Sequence, residues 1–179
     1  MTANLSMRFG RVFQEVSRMR ALFLFLSIFA ATLWISLSGS AGPAMAQEPQ
    51  RNLPVEDLVI QSGDKEHRFE AEVAATDKQR SMGLMFRKEM PEKRGMLFLF
   101  EGEGDRYFWM KNTPLPLDII FIDARGGIVS IADNTTPFSE DVIPSIGPAK
   151  FVFEINAGLA EKLGISAGDR VISPSMGLE

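Results

Sequence analysis

The sequence predicts a mainly β (α+β) fold, a compact β-barrel or sandwich of about seven to eight short strands with two short helices. Three observations predict it. Short apolar or alternating runs recur between residues 57 and 174, separated by Gly, Pro, Asn and Asp. Two of them, Leu117–Asp123 and Gly127–Ala132, flank Ala124-Arg125-Gly126 as the arms of a hairpin flank its turn. Helix-start signals followed by helical spacing occur in only two short stretches.

Ahead of this domain, residues 1–46 have the order of a secretory signal peptide. Four arginines and one glutamate lie in residues 1–20, a mostly apolar run covers Ala21–Leu37, and small residues end at Ala44-Met45-Ala46. Cleavage is expected between Ala46 and Gln47, giving an exported protein, periplasmic or extracellular. The rival is an uncleaved anchor, because the apolar run reaches the lower edge of a membrane span; the membrane would then be touched through this segment alone. Removing its charges from the 19 basic and 23 acidic residues leaves 15 against 22, a net charge of −7. An acidic domain repels phosphate backbones, so no nucleic-acid partner is expected. The chain has no cysteine, which excludes disulfides, thiolate metal sites and thiol chemistry.

Residues 47–56, polar and proline-bearing, read as a flexible leader, and residues 57–174 as a single β-rich domain. Leu58–Gln61 and Arg68–Val73 form a hairpin around Ser62-Gly63-Asp64-Lys65-Glu66. Thr76-Asp77-Lys78-Gln79 has the form of a capping box, so a helix is expected from about Asp77 to Met85, with Arg80 and Arg87 sharing a face if it continues. Gly95–Phe100 is a buried strand, and Tyr107–Lys111 the strand that returns from it. After the Leu117–Ala132 hairpin, Asp133–Pro148 reads as a surface loop and a candidate lid. Lys150–Ile155 is a further strand, Asn156 caps a short helix ended by Gly164, and Gly168–Ile172 closes the fold.

The stretch RYFWMKNTPLPLD, Arg106 to Asp118, is the candidate site. Strand alternation puts Trp109 and Lys111 on one face, Phe108 and Met110 on the other. Pro114 and Pro116 remove two backbone donors and stiffen the chain, gathering Lys111, Asn112, Thr113 and Asp118 on one short arc. The bland alternative is that these residues only hold a turn. Catalytic templates fit poorly: His67 is the single histidine, and the chain holds no H-E-x-x-H pair, P-loop or dinucleotide fingerprint. No cofactor and no metal are expected, and the methionines from Met82 to Met110 read as adaptable core.

Together, Arg80–Arg87, Gly95–Phe98, Phe108–Thr113, Pro116–Asp123 and Leu163–Val171 resemble the domain of unknown function 192 family, over roughly Val59 to Ile172. The resemblance implies a small, largely β domain, often exported, and no established activity. Its signature falls here on Arg80, Gly83, Arg87, Trp109, Lys111, Asn112, Thr113, Pro116, Asp118, Asp123 and Glu154, and the polar share of that set points to a site. The leading expectation is a non-catalytic domain that binds a small polar or anionic ligand, or an envelope protein, at a groove formed by Arg80, Arg87, Trp109, Lys111 and Asn112, with Thr113 and Asp118 beside it and Phe138 and Ser139 able to close over it. One rival is a cell-envelope polysaccharide hydrolase using Asp118 with Glu154 or Asp123. The other is a structural accessory domain without ligand.

Overall fold

The computed structural model describes residues 48–178, and the signal peptide expected at residues 1–46 lies outside them. Strand β1 (Val55–Ser62) pairs with β2 (Lys65–Ala74), the first predicted hairpin, in a register that runs from Val55 opposite Glu72 to Ser62 opposite Lys65. The strand thus starts inside the stretch expected to be a leader. Upstream of it, the Gln50 side chain already donates to the carbonyls of Gln79 and Gly83.

Helix α1 (Asp77–Met82) opens with both bonds of the capping box in place: Thr76 accepts from the Gln79 amide and Gln79 accepts from the Thr76 amide. It stops at Gly83, three residues short of the expected end. Gly83 turns to φ 48°, and a Cβ there would lie 3.4 Å from the Phe98 ring. The chain then runs into β3 (Arg94–Gly104), β4 (Tyr107–Phe108), β5 (Leu117–Ile122), β6 (Ile128–Ala132), β7 (Ile143–Pro144), β8 (Ala149–Asn156), helix α2 (Leu159–Leu163) and β9 (Arg170–Ile172).

Seven strands form one sheet in the order β6-β5-β8-β3-β2-β1-β9, antiparallel except for β2 beside β3. Its two ends curl toward each other: Gly127 bridges Arg170, and the Val171 amide donates to the Gly126 carbonyl at 2.7 Å. Curling gives the sheet an inner face, closed on itself, and an outer face that needs a second layer. Alternation then sorts the side chains. Leu97, Ile120, Phe153 and Ile155 point inward with Leu58, Phe69 and Val171. Met96, Phe98, Leu117, Ile119, Phe121 and Val152 point outward, where Leu84, Met90 and Met110 cover them. The fold is mainly β, as predicted, with nine strands and two short helices among the described residues.

Two local expectations change. The segment from Tyr107 does not return along β3, because β2 and β8 already occupy both edges of that strand; β4 instead pairs with β7 in a separate two-stranded ribbon. The segment expected to be a loop, Asp133–Pro148, therefore contains a strand. Asn156 does not cap α2. Its amide donates to the carbonyls of Met90 and Pro91, and the amides at the start of α2 are taken by Asp118.

Asp118 is fully buried and accepts the amides of Asn134, Gly158 and Ala160 at 2.9, 3.0 and 2.9 Å. One carboxylate thus ties β5, the segment after β6 and the start of α2. Asp118→Ala would leave three donors without a partner, and a loss of about 3 kcal/mol or more is expected in urea unfolding. A loss below about 1 kcal/mol would show that water or a rearranged neighbour takes over those amides.

Candidate functional site

On the outer face, a cavity of about 430 Å³ opens between α1 with its following turn and the corner that leaves β4. Phe98 and Phe100 of β3 and Glu154 of β8 enter it from the sheet. Ser81, Met82, Leu84 and Met85 form one wall, and Tyr107, Phe108, Trp109 and Thr113 the other. The walls are latched to each other through backbone bonds. Phe86 donates its amide to the Asn112 carbonyl at 2.8 Å, with Phe86 at φ 64° and Asn112 at φ 55°. From the far side, Phe138 donates to Thr113 and Met110 donates to Ser139.

Glu154 is the chemical centre of this space. It pairs with Met96 of β3 on one side and Ile119 of β5 on the other, and Met96 pairs in turn with Glu72 of β2. Glu72, Met96, Glu154 and Ile119 therefore form one row across the sheet, all on the outer face. Two glutamates share the row about 10 Å apart, two strand spacings. Glu72 is neutralised, because Arg87 donates to its two oxygens at 2.6 and 2.5 Å. Glu154 is only 5% exposed, and no described residue donates to its carboxyl or pairs with its charge. Burial pushes that carboxyl up to about 8. Beside it, Gly95 allows close strand contact: a Cβ there would meet the Glu154 carbonyl oxygen at 2.5 Å and the Phe153 ring at 2.6 Å.

The residues expected to form the groove divide. Arg80, Trp109 and Thr113 line the cavity. Arg80 does so with its guanidinium engaged: it donates to the carbonyls of Ala75 and Leu99, pairs with Asp77 and lies 5.0 Å above the Phe100 ring. Arg106 sits 4.1 Å from the same ring and donates to the carbonyls of Ala149 and Gly102. Burial, and then the nearby Arg80 charge, hold Arg106 below the usual arginine range. Trp109 is 47% exposed, with the Lys111 ammonium 5.1 Å from its ring. The Thr113 hydroxyl donates to the Lys111 carbonyl at 3.2 Å.

Arg87, Lys111, Asn112 and Asp118 are not among the lining residues. Arg87 holds Glu72, Lys111 faces Glu140 at 3.4 Å, and Asn112 places its side chain 4.0 Å from the Met85 sulfur. Asp118 pairs with Ile155 rather than Glu154, so the two carboxyls project from opposite faces of the sheet. The hydrolase pair Asp118–Glu154 is thereby ruled out. Asp123, the alternative partner, accepts the amides of Arg125 and Gly127 in its own turn, both at 2.8 Å. Burial pushes its carboxyl up, but those two amides and the Arg125 charge outweigh it and hold Asp123 below its usual value.

Apart from Trp109, the aromatic and thioether lining is absent from the sequence-based expectation. Its signal is the outward parity of Phe98, Phe100 and Glu154, which reads as a solvent face until the second layer is known.

A family profile described as an uncharacterized ACR, DUF192, matches residues 58–173. Among solved structures, a protein from Sinorhizobium meliloti described as a proposed transcription regulator is 38% identical with a TM-score of 0.68, the match covering 70% of this chain and 98% of that one. A protein of unknown function from Novosphingobium aromaticivorans is 37% identical with a TM-score of 0.66, covering 75% and 99%. No curated protein matches the chain. The profile match runs from within β1 to just past β9, through every strand of the curled sheet and the cavity-lining residues from Asp77 to Glu154, and the chain belongs to the DUF192 family.

Proposed function

We propose that this domain is an exported binding protein that takes a small organic ligand into the cavity between α1 and the corner after β4, with Glu154 as the polar contact at its floor. One observation carries the reading: a carboxyl only 5% exposed, with no partner among the described residues, that lines a cavity of about 430 Å³ walled largely by aromatic rings and thioethers. A carboxyl in that position costs stability unless a ligand uses it. The anionic ligand expected from the sequence is not retained, because Arg80 and Arg87 already hold internal acids and carbonyls. The name given to the Sinorhizobium meliloti protein is not extended to this chain, whose net charge after residue 46 is −7.

A second reading, docking of an envelope protein, is favoured by Tyr107, Phe138, Val142 and Ile146, all exposed apolar residues on or near the β4–β7 ribbon. The two readings are compatible, since Tyr107 also lines the cavity.

A thermal-shift screen of amines, neutral sugars and organic acids tests the binding reading. At least one class is expected to raise the melting temperature by several degrees at millimolar concentration and to change Trp109 emission. If no class does either, the accessory-domain alternative replaces it.

The carboxyl also predicts a stability profile. The Glu154 carboxyl has an ordinary value of 4.5 and a folded value of about 8. Between these values the unfolded chain gives up its proton while the folded chain keeps it, so folding is progressively disfavoured as pH rises through this window. Glu154→Gln removes the titration. It is expected to stabilise the empty domain by on the order of 3 kcal/mol at pH 7 and by little at pH 4.5. Parallel profiles for the two proteins across that range would mean that Glu154 is solvated or paired in solution.

Export is testable by intact mass. Protein recovered from the cell envelope is expected to begin at Gln47, and a full-length mass there would establish the uncleaved anchor instead.

A further inference from the structure

We infer that the cavity selects organic ammonium ions, with the cationic nitrogen set against the Glu154 carboxylate and its alkyl groups laid against the surrounding aromatic rings. The inference deepens the proposed function and rests on it. Three features of the geometry converge on this class.

The first is the charge inventory. Asp77 and Arg80, which both line the cavity, pair with each other, and Glu72 in the same row pairs with Arg87. On either side of Glu154 in the sheet stand Met96 and Ile119, which carry no charge. Tyr107 is the remaining titratable group of the lining. Glu154 is thus the one acid of the cavity without a described cationic partner, and an ammonium group supplies what it lacks. The second is the lining. Phe98, Phe100, Tyr107, Phe108 and Trp109 all contribute to the walls, and Phe98 meets Phe108 edge-on at 5.2 Å between ring centroids. Aromatic faces attract cations through their quadrupoles, and most strongly where water is excluded. The third is the absence of competition for the nitrogen. The Thr113 hydroxyl donates to the Lys111 carbonyl, and the thioethers of the lining, Met82 and Met85, are soft and weakly hydrated.

Proton linkage gives the inference a signature. In the empty cavity Glu154 holds its proton up to a pH of about 8. Ammonium binding favours the ionised form and releases that proton, so affinity falls as pH drops below 8, by up to tenfold per unit. A ligand that accepts a hydrogen bond from the protonated acid shows the opposite trend.

The probes are choline, whose charge does not titrate, and 3,3-dimethylbutan-1-ol, its neutral carbon counterpart. Both are titrated into the purified full chain by calorimetry at pH 6.5 and 8.5. Choline is expected to bind at least tenfold more tightly than the alcohol at pH 8.5 and to weaken about tenfold or more at pH 6.5, while the alcohol is indifferent to pH. Glu154→Gln is expected to bring choline down to the level of the alcohol while the alcohol still binds, which separates lost charge from lost fold. Equal binding of the two probes, or choline affinity that rises as pH falls, overturns the ammonium class and leaves the cavity a binding site. If neither probe binds, the inference also falls. The thermal-shift screen then decides separately: a hit from another class preserves the proposed function, and a blank screen removes it.

Discussion

The structure depends on the burial of β8 on both faces. β8 is a middle strand of the curled sheet, between β5 and β3, so its inward residues Phe151, Phe153 and Ile155 belong to the closed interior. Its outward residues Val152 and Glu154 would meet water if the sheet were bare. They do not, because α1 and the corner after β4 cover them. A strand buried on two sides is normally apolar throughout, and Glu154 is the exception. Whatever holds the second layer down therefore also decides how dry the carboxyl is. That layer is sewn by individual bonds: Gln50 to the Gln79 and Gly83 carbonyls, Phe86 to Asn112, and Phe138 to Thr113.

Glu72 and Glu154 show how much the partner matters at nearly the same depth. They stand in one row with Met96 between them, 7% and 5% exposed. Arg87 approaches Glu72 with two donors and returns much of the desolvation cost through charge-assisted bonds. Among the described residues, none reaches Glu154 in this way. Gln or Leu at that position would avoid the desolvation cost that Glu154 carries and Glu72 largely recovers.

The pairing of elements was legible where the chain spells it locally. The β5–β6 hairpin follows from apolar runs on either side of Ala124-Arg125-Gly126, and the capping box of α1 from Thr76 and, three residues on, Gln79. The curl was not legible, because it rests on Gly127 meeting Arg170 across the barrel, a contact between distant segments. The same gap hid the cavity. In Lys150-Phe-Val-Phe-Glu-Ile155 the alternation correctly separates Phe151, Phe153 and Ile155 from Val152 and Glu154. It cannot say whether the second set meets solvent or another layer. Stiffness of the corner was readable from Pro114 and Pro116, whereas the direction of its polar groups was not: Arg87, Lys111, Asn112 and Asp118 turn to internal partners.

Two arginines near the mouth look unfavourable for a cation, and magnitudes decide the matter. The Arg80 guanidinium is bound at the Leu99 carbonyl, three residues along β3 from Met96, the partner of Glu154. That places the positive charge about 10 Å along the strand from the carboxyl. At an effective dielectric of about 20, a bare charge at 10 Å repels an ammonium by about 1.7 kcal/mol, while a carboxylate at 4 Å attracts it by about 4 kcal/mol. Asp77 pairs with Arg80 directly and reduces that repulsion further. Arg106 does not line the cavity; it is stacked on Phe100 and bound to two backbone carbonyls whose dipoles offset its charge. Once a cation has drawn the proton from Glu154, its carboxylate is therefore the nearest charge without a partner among the described residues, and the arginines hold Phe100 through their stacking on its ring.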